Sequence, residues 1–250
     1  MSENRGIFSL EEFYDLQVSG ETSKIIDVFR FVNQVPGETI TPVGYDYAYA
    51  AGDNPVDSQI ERLDFNNDSA NTVIRGSLPS VGRSMGAVSS QTHGYIAGGY
   101  YPSLGTHSQV YRIDYSNDNI TTTTVGNLVN GRRYLAGVGT KDYGYFGGGF
   151  SPAISTIQRI DYSNDSAALV AKGPMSASKY SRGAAGNRSY GYFSGGDPSP
   201  RISSVDRMDY SSDTSTATPK GPISLARGYI ASSGNASYGY HMGGYSPTVS

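Results

Sequence analysis

The chain of 250 residues contains no cysteine and no tryptophan. Without a thiol there is no disulfide, no thiolate zinc site and no cysteine nucleophile. The compartment stays open on that ground, but life outside the cell would have to do without crosslinks. Charge is scarce too, at 16% of residues. Nineteen lysines and arginines stand against 22 aspartates and glutamates, a formal charge of −3. That balance lacks the basic excess of a nucleic-acid binder. No apolar run reaches the roughly 18 residues of a membrane-spanning helix. The opening stretch, MSENRGIFSLEEFYDL, carries acids where a secretion signal needs an unbroken apolar segment. The expectation is a protein made and kept in the cytosol, or assembled there into something larger.

What is abundant is glycine, 32 residues, and tyrosine, 21 residues. Both fall into a repeat. The heptapeptide RIDYSND stands at 112–118 and again at 159–165, with looser copies RLDFNND at 62–68 and RMDYSSD at 207–213. Its arginines, Arg62, Arg112, Arg159 and Arg207, are 50, 47 and 48 residues apart. A second marker keeps the same period: YAYAAG, GYIAGG, GYFGGG, GYFSGG and GYHMGG, centred on Tyr49, Tyr95, Tyr145, Tyr192 and Tyr240. Pro55, Pro102, Pro152, Pro198 and Pro247 follow those tyrosines by six or seven residues. The lead-in to each tyrosine segment carries a base: Arg83, Arg132, Lys179 and Arg227. Repeats of this period signal an array of like units.

Within a repeat the segments read as short strands. YGYFGGG is aromatic and stopped by its glycines, and STIQRIDY alternates its faces. SND reads as a turn, since Asn and Asp bond back to their own backbone. SAALVAKG leaves as a further strand. That makes about four strands per unit and no helix, the pattern of a β-propeller blade. Each repeat resembles a kelch motif, with an R-x-D-Y corner, small residues, and GY-[IF]-x-GG ending in Gly98–Gly99, Gly148–Gly149, Gly195–Gly196 and Gly243–Gly244. The motif's tryptophan is missing. The resemblance covers residues 43–250 and implies an all-β, kelch-like propeller of four full units with a fifth begun. The sequence stops at GGYSPTVS, where the next heptapeptide is due. Either the last strand closes the ring on the first blade or the natural chain continues, and continuation is the expectation.

The corners suit structure better than chemistry. A calcium loop of the EF-hand type needs alternating acids, a central glycine and a late glutamate, and DYSND has none of these. Arg62/Asp64, Arg112/Asp114, Arg159/Asp161 and Arg207/Asp209 lie two apart on one strand face, placed to tie adjacent strands or blades by charge-assisted bonds. Recurrence in every unit favours that role over catalysis. His93, His107 and His241 do not cluster with acids, and no nucleophile elbow or phosphate loop is present. No enzyme, cofactor or metal site is therefore expected. The tyrosine-rich loops that follow the glycine doublets would emerge on one face and make an adaptable contact surface. Candidate recognition residues there are Asn54, Tyr100, Tyr101, Phe150, Asp197 and Tyr245, although most tyrosines are expected to fill gaps between blades.

Residues 1–42 differ, with seven acids against three bases. SLEEFYDLQVSG has a capping box from Ser9 to Glu12 and a stop at Gly20, which reads as a short amphipathic helix. KIIDVFRFV, at 24–32, is ambiguous between strand and helix. The segment reads as an arm that packs on a partner or on the first blade. RGIFSLEEFYDLQVSGE together with GYFGGGFSPAISTIQRIDYSNDSA is similar to virion structural proteins of tailed bacteriophages, marine cyanophages above all. That resemblance implies a virion component, assembled in the host cytoplasm, in which the arm docks on tail, baseplate or neck proteins through Ile7, Phe8, Leu10, Phe13, Tyr14, Ile25, Phe29 and Phe31. It implies a fibre-like projection of the blades, with a homo-oligomer compatible. The alternative it leaves is an adhesin whose loops recognise a host glycan or receptor.

Overall fold

In a computed structural model, residues 29–32, 47–53, 57–117, 120–198, 200–235 and 237–246 are described. The fold is all-β. Strands β1 (Phe29–Val32), β2 (Tyr47–Asp53), β3 (Asp57–Asp64) and β4 (Val73–Gly82) form a first antiparallel sheet in that order. Strands β5 (Gly86–Ser89) and β6 (His93–Ala97) open the second, β7 (Tyr100–Tyr101) and β8 (Gly105–Thr106) make a small ribbon, and β9 (Gln109–Asp114) returns beside β6. The short β10 (Ile120–Thr121) crosses to run parallel to β4 of the first sheet, and β11 (Thr123–Asn127) then completes the second. The third sheet is β12 (Ala136–Gly139), β13 (Tyr143–Gly147), β14 (Ile157–Asp161) and β15 (Val170–Ala171). The fourth is β16 (Gly183–Gly186), β17 (Tyr190–Ser194), β18 (Val205–Asp209) and β19 (Thr218–Lys220). A hairpin of β20 (Ala231–Gly234) and β21 (Gly239–Met242) begins a fifth.

The repeat seen in sequence is a repeat in register. Tyr49 pairs with Arg62, Tyr95 with Arg112, Tyr145 with Arg159 and Tyr192 with Arg207, always between the tyrosine strand and the corner strand. Among the described residues the only helical turns are three of 3₁₀ type, Phe65–Asn67, Tyr162–Asn164 and Tyr210–Ser212, each at a corner. Both glycines of every doublet have positive φ, for instance 66° at Gly148 and 115° at Gly149, a backbone that side-chain-bearing residues resist.

The core lies between sheets. One cluster, with Tyr49, Ile60, Met85, Ile96 and Ile113, joins the first and second. Val88, Tyr95, Leu135, Phe146 and Ile160 join the second and third, and Val138, Tyr145, Phe193 and Met208 the third and fourth. Small residues allow this close face-to-face packing. A Cβ on Gly137 would strike the Ala87 carbonyl of the preceding sheet, and one on Gly173 the Ser215 carbonyl of the next.

The ambiguous KIIDVFRFV resolves at its end. Phe29–Val32 is a strand along β2, in the place that β5, β12 and β16 hold in the later sheets. Part of the arm therefore belongs to the first sheet. The helix expected over SLEEFYDLQVSG, and Ile7, Phe8, Leu10, Phe13, Tyr14 and Ile25 with it, lie outside the described residues.

Candidate functional site

Each corner does two separate jobs. The first aspartate ends the strand and caps the 3₁₀ turn. Asp161 accepts from Ser163 N at 2.9 Å and from Ser163 Oγ at 2.7 Å. Asp114 and Asp209 repeat this on Ser116 and Ser211, and Asp64 accepts from Asn66 N at 2.9 Å. Those bonds hold the carboxyls of Asp114, Asp161 and Asp209 below their usual range, with the serine hydroxyl the largest cause.

The arginine does not pair with that acid. In two of the four corners it is seen to reach the last aspartate of the following corner. Arg112 Nη1 donates to Asp165 Oδ2 at 2.8 Å, and Arg159 Nη1 to Asp213 Oδ2 at 2.8 Å. The tyrosine opposite joins each pair: Tyr95 and Tyr145 donate to the same carboxylate oxygens, both at 3.1 Å. Lys172 adds a second cation on Asp213 at 3.1 Å. The expected tie between units is present, but through the seventh residue of the next heptapeptide rather than the third of its own. Physically, the third residue is consumed by its own turn, which leaves the seventh to face backwards.

The corner tyrosine completes the joint. Tyr115 stacks on Tyr49 at 5.1 Å, Tyr162 on Tyr95 at 5.0 Å and Tyr210 on Tyr145 at 5.3 Å, so each corner ring lies on the preceding sheet's tyrosine. Its hydroxyl rests where its own sheet has a glycine: a Cβ on Gly94, Gly144 or Gly191 would come within 3.0 Å of it. Arg62, Arg159 and Arg207 lie 4.0, 4.2 and 4.3 Å over the rings of Tyr47, Tyr143 and Tyr190.

The loop rim after the glycine doublets gathers the second group of residues. Tyr100 sits between two guanidinium groups, 5.3 Å from Arg83 and 5.1 Å from Arg133. Arg133 also lies 5.4 Å from the Tyr134 ring and 5.2 Å from that of Phe150. Phe150 meets Tyr180 edge-on at 4.9 Å, Tyr180 stacks on Tyr134 at 5.6 Å, and Tyr134 meets Tyr229 edge-on at 5.7 Å. All seven side chains are half-buried. They form a continuous belt of arginines and aromatics across four units. Further on, Arg201 binds Asp197 at 2.8 Å and lies 4.4 Å over Tyr245, which is 56% exposed.

Of the expected recognition residues, Tyr100, Phe150 and Tyr245 are accessible. Tyr101 is not: it is fully buried, with its hydroxyl on Met85 Sδ at 3.4 Å. Asp197 is buried and committed to Arg201. Asn54 lies outside the described residues. Arg133, Tyr134, Tyr180 and Tyr229 were not singled out by sequence. The signal for them is the isolated bridge that precedes each positive-φ residue: Arg83 pairs with Tyr100, Arg133 with Phe150, Tyr180 with Asp197 and Gly228 with Tyr245. Ser84, Tyr134, Ser181 and Tyr229 follow with φ of 61°, 60°, 52° and 57°. By this alignment Arg83 matches Arg133, one place later than the other lead-in bases. The carbonyls of Arg132, Lys179 and Arg227 instead accept from the second glycine of the preceding doublet, Gly99, Gly149 and Gly196.

Two buried cations stand apart. Arg182 is paired with Asp206 at 2.7 Å, both essentially inaccessible, and also donates to Phe193 O. Arg132 is equally buried but has only the carbonyls of Gly148 and Thr156, with Nε and Nη2 unbonded, and burial pulls its pKa down to about 10. His241 is held between Ser194 and Ser232, each 2.8 Å from Nδ1, and burial lowers its pKa. Among the described residues no three His, Asp or Glu side chains converge as metal ligands, and no helix is long and apolar enough to cross a membrane.

No family model matches the chain, and no curated protein matches it. Among solved structures, one titled "Structure of YjhT" aligns with a TM-score of 0.63 at 12% identity, over 80% of this chain and 72% of that one. At that identity the likeness is one of fold.

Proposed function

We propose that the chain is a non-catalytic virion structural protein of a tailed bacteriophage, built from kelch-like β-propeller blades. Residues 1–42 contribute the docking arm, and the blades of 43–250 project from the particle. The observation that carries the structural role is the joint between units. The described joints spend the corner residues on their own turn or on a neighbour: Asp161 and Asp209 cap their turns, Arg112 and Arg159 bind Asp165 and Asp213, and Tyr162 and Tyr210 stack on the preceding sheet's tyrosine. The partners are other virion proteins of tail, baseplate or neck, with no resident cofactor. The test is particle assembly with a gene lacking the codons for residues 1–28. Loss of the protein from purified particles, with the blades still folded, is the expected result. Normal incorporation sinks the docking reading.

A second reading is favoured by the belt from Arg83 to Tyr229. Guanidinium and aromatic faces, half-buried and therefore pre-positioned, are the groups that anchor recognition surfaces. On this reading the rim recognises a glycan or protein of the host surface. Arg133 touches three rings, so Arg133→Ala is expected to weaken adsorption of the purified protein to host cells by at least about tenfold. Unchanged adsorption, with an unchanged melting temperature, removes the belt from that role.

A further inference from the structure

At the loop rim the backbone repeats while the side chains do not. Ser84, Tyr134, Ser181 and Tyr229 hold one position, shortly before β5, β12, β16 and β20, and all have positive φ. A thread of backbone bonds joins them from unit to unit. Tyr134 N donates to Ser84 O at 2.7 Å, Ser181 N to Tyr134 O at 3.1 Å and Tyr229 N to Ser181 O at 2.8 Å. The thread accounts for the left-handed backbone. It does not account for the choice of residue, since Ser84 and Ser181 take part with a small side chain. A bulky ring is out of place at such φ, where asparagine or glycine sits most easily. Residues held against their backbone preference point to a use for the side chain.

The two tyrosines bring rings together. Tyr134 and Tyr229 come from units that are not neighbours, yet they meet edge-on at 5.7 Å, and Tyr180 of the unit between them stacks on Tyr134 at 5.6 Å. Arg133 borders this cluster. Arg112, Arg159, Arg182 and Arg201 each end on a carboxylate. Arg133 ends on rings instead, 5.1 Å from Tyr100, 5.4 Å from Tyr134 and 5.2 Å from Phe150. Such contacts hold the cation in place without consuming its N–H groups, which suit a carboxylate or phosphate that accepts two parallel bonds.

We infer that Arg133, Tyr134, Tyr180 and Tyr229 form a subsite for a sugar ring that bears one acidic group, a carboxylate or a phosphate. The inference rests on the reading of the rim as a recognition surface and names what that surface takes. The sugar's C–H face would lie on the tyrosine rings and its acid on the Arg133 guanidinium. One cation beside a cluster of rings fits a singly acidic sugar better than an acidic peptide, whose spaced carboxylates call for several free cations. The nearby cations are already engaged: Arg201 with Asp197 at 2.8 Å, and Lys179 with the carbonyls of Pro198 and Pro200, both at 2.8 Å.

The probes are glucuronate, glucose 6-phosphate, glucose and inorganic phosphate, each titrated into the 250-residue protein and followed by its backbone amide NMR shifts. Saturable shifts at Tyr134, Tyr180 and Tyr229 are expected with at least one of the two acidic sugars, and which of them acts separates a carboxylate from a phosphate. That sugar should bind more tightly than glucose or inorganic phosphate by at least about tenfold. Arg133→Gln should reduce it to the affinity of glucose. Tyr134→Asn keeps the backbone thread and suits its φ of 60°. It should weaken the acidic sugar by at least about tenfold while the protein melts at the same or a higher temperature, a pairing that a ring serving only to fill space would not give. Binding of neither acidic sugar overturns the inference. So does equal binding of inorganic phosphate, which would mean an adventitious ion only, or tight binding of a hexaglutamate peptide where the sugars fail. Host-cell adsorption that depends on Arg133 without any binding of acidic sugars would overturn this ligand and leave the rim reading standing. Adsorption indifferent to Arg133→Ala would instead remove the rim reading itself.

Discussion

At the scale of single residues, the two aspartates of a corner should separate cleanly. Asp161→Ala removes a cap from an exposed turn and should cost about 1 kcal/mol. Asp213→Ala strands Arg159, Lys172 and the Tyr145 hydroxyl together, and should cost about 2–3 kcal/mol. Urea denaturation of the two variants measures the difference, and equal losses would contradict the division of labour. The sign of the pH dependence follows from the caps. The folded pKa values of Asp114, Asp161 and Asp209 are depressed, so their contribution is complete above about pH 4 and is lost as pH falls through the lowered values. The Arg182–Asp206 pair makes a second prediction. In the third sheet the matching positions are Leu135 and Gln158, and Gln158 accepts from Val129 N at 3.0 Å much as Asp206 accepts from Ser176 N at 3.3 Å. Arg182→Leu alone leaves a buried, unpaired carboxylate, at a cost of about 3–5 kcal/mol. Adding Asp206→Gln should restore most of that loss, which a thermal melt of both variants would reveal.

Among elements, sheet contact is set by glycines at fixed positions. Gly137→Ala should part the second and third sheets, because its Cβ would meet the Ala87 carbonyl, a backbone group that cannot rotate away. A loss of about 1–3 kcal/mol is expected. Gly105→Ala has open space around it, but its φ of 77° brings strain instead of overlap. Denaturation midpoints of the two variants distinguish a packing fault from a backbone fault, since only the first should loosen near-UV signals from Tyr95 and Tyr162. The strand pattern was legible because glycine doublets, corners and tyrosines mark element ends directly. The partner of each corner arginine was not legible. Arg159 and Asp161 share a strand face, and nothing in that spacing says that Ser163 occupies the acid while Asp213, 54 residues away, receives the arginine. Tyr101 misled for a related reason: adjacent strand residues point oppositely, so Tyr100 faces the rim and Tyr101 the core. The belt was half legible. Tyr100 and Phe150 follow the glycines, whereas Arg133 and Tyr180 arrive on the crossing segment through a single bridge.

Over the whole molecule, stability should be graded along the chain. Sheets two to four are buried against neighbours on both sides, while Tyr238, Tyr240 and Met242 of the last hairpin are 68%, 45% and 36% exposed. Native-state hydrogen exchange should therefore be faster at β20–β21 than at β12–β14. Uniform protection along the chain would contradict a structure held by joints between neighbours.

Those joints are directional. Where both halves are described, a unit offers a tyrosine and an aspartate to the unit before it, and presents a tyrosine and an arginine to the unit after it. Both halves of the seam are thus written in a single stretch of about 48 residues. A recombination event that copies or deletes one such stretch produces a gene whose new seam is already matched, with no compensating mutation required. Lengths that differ by whole units are accessible to such a lineage in one step, whereas a fractional insertion would pair an arginine with no acid and a tyrosine with no slot.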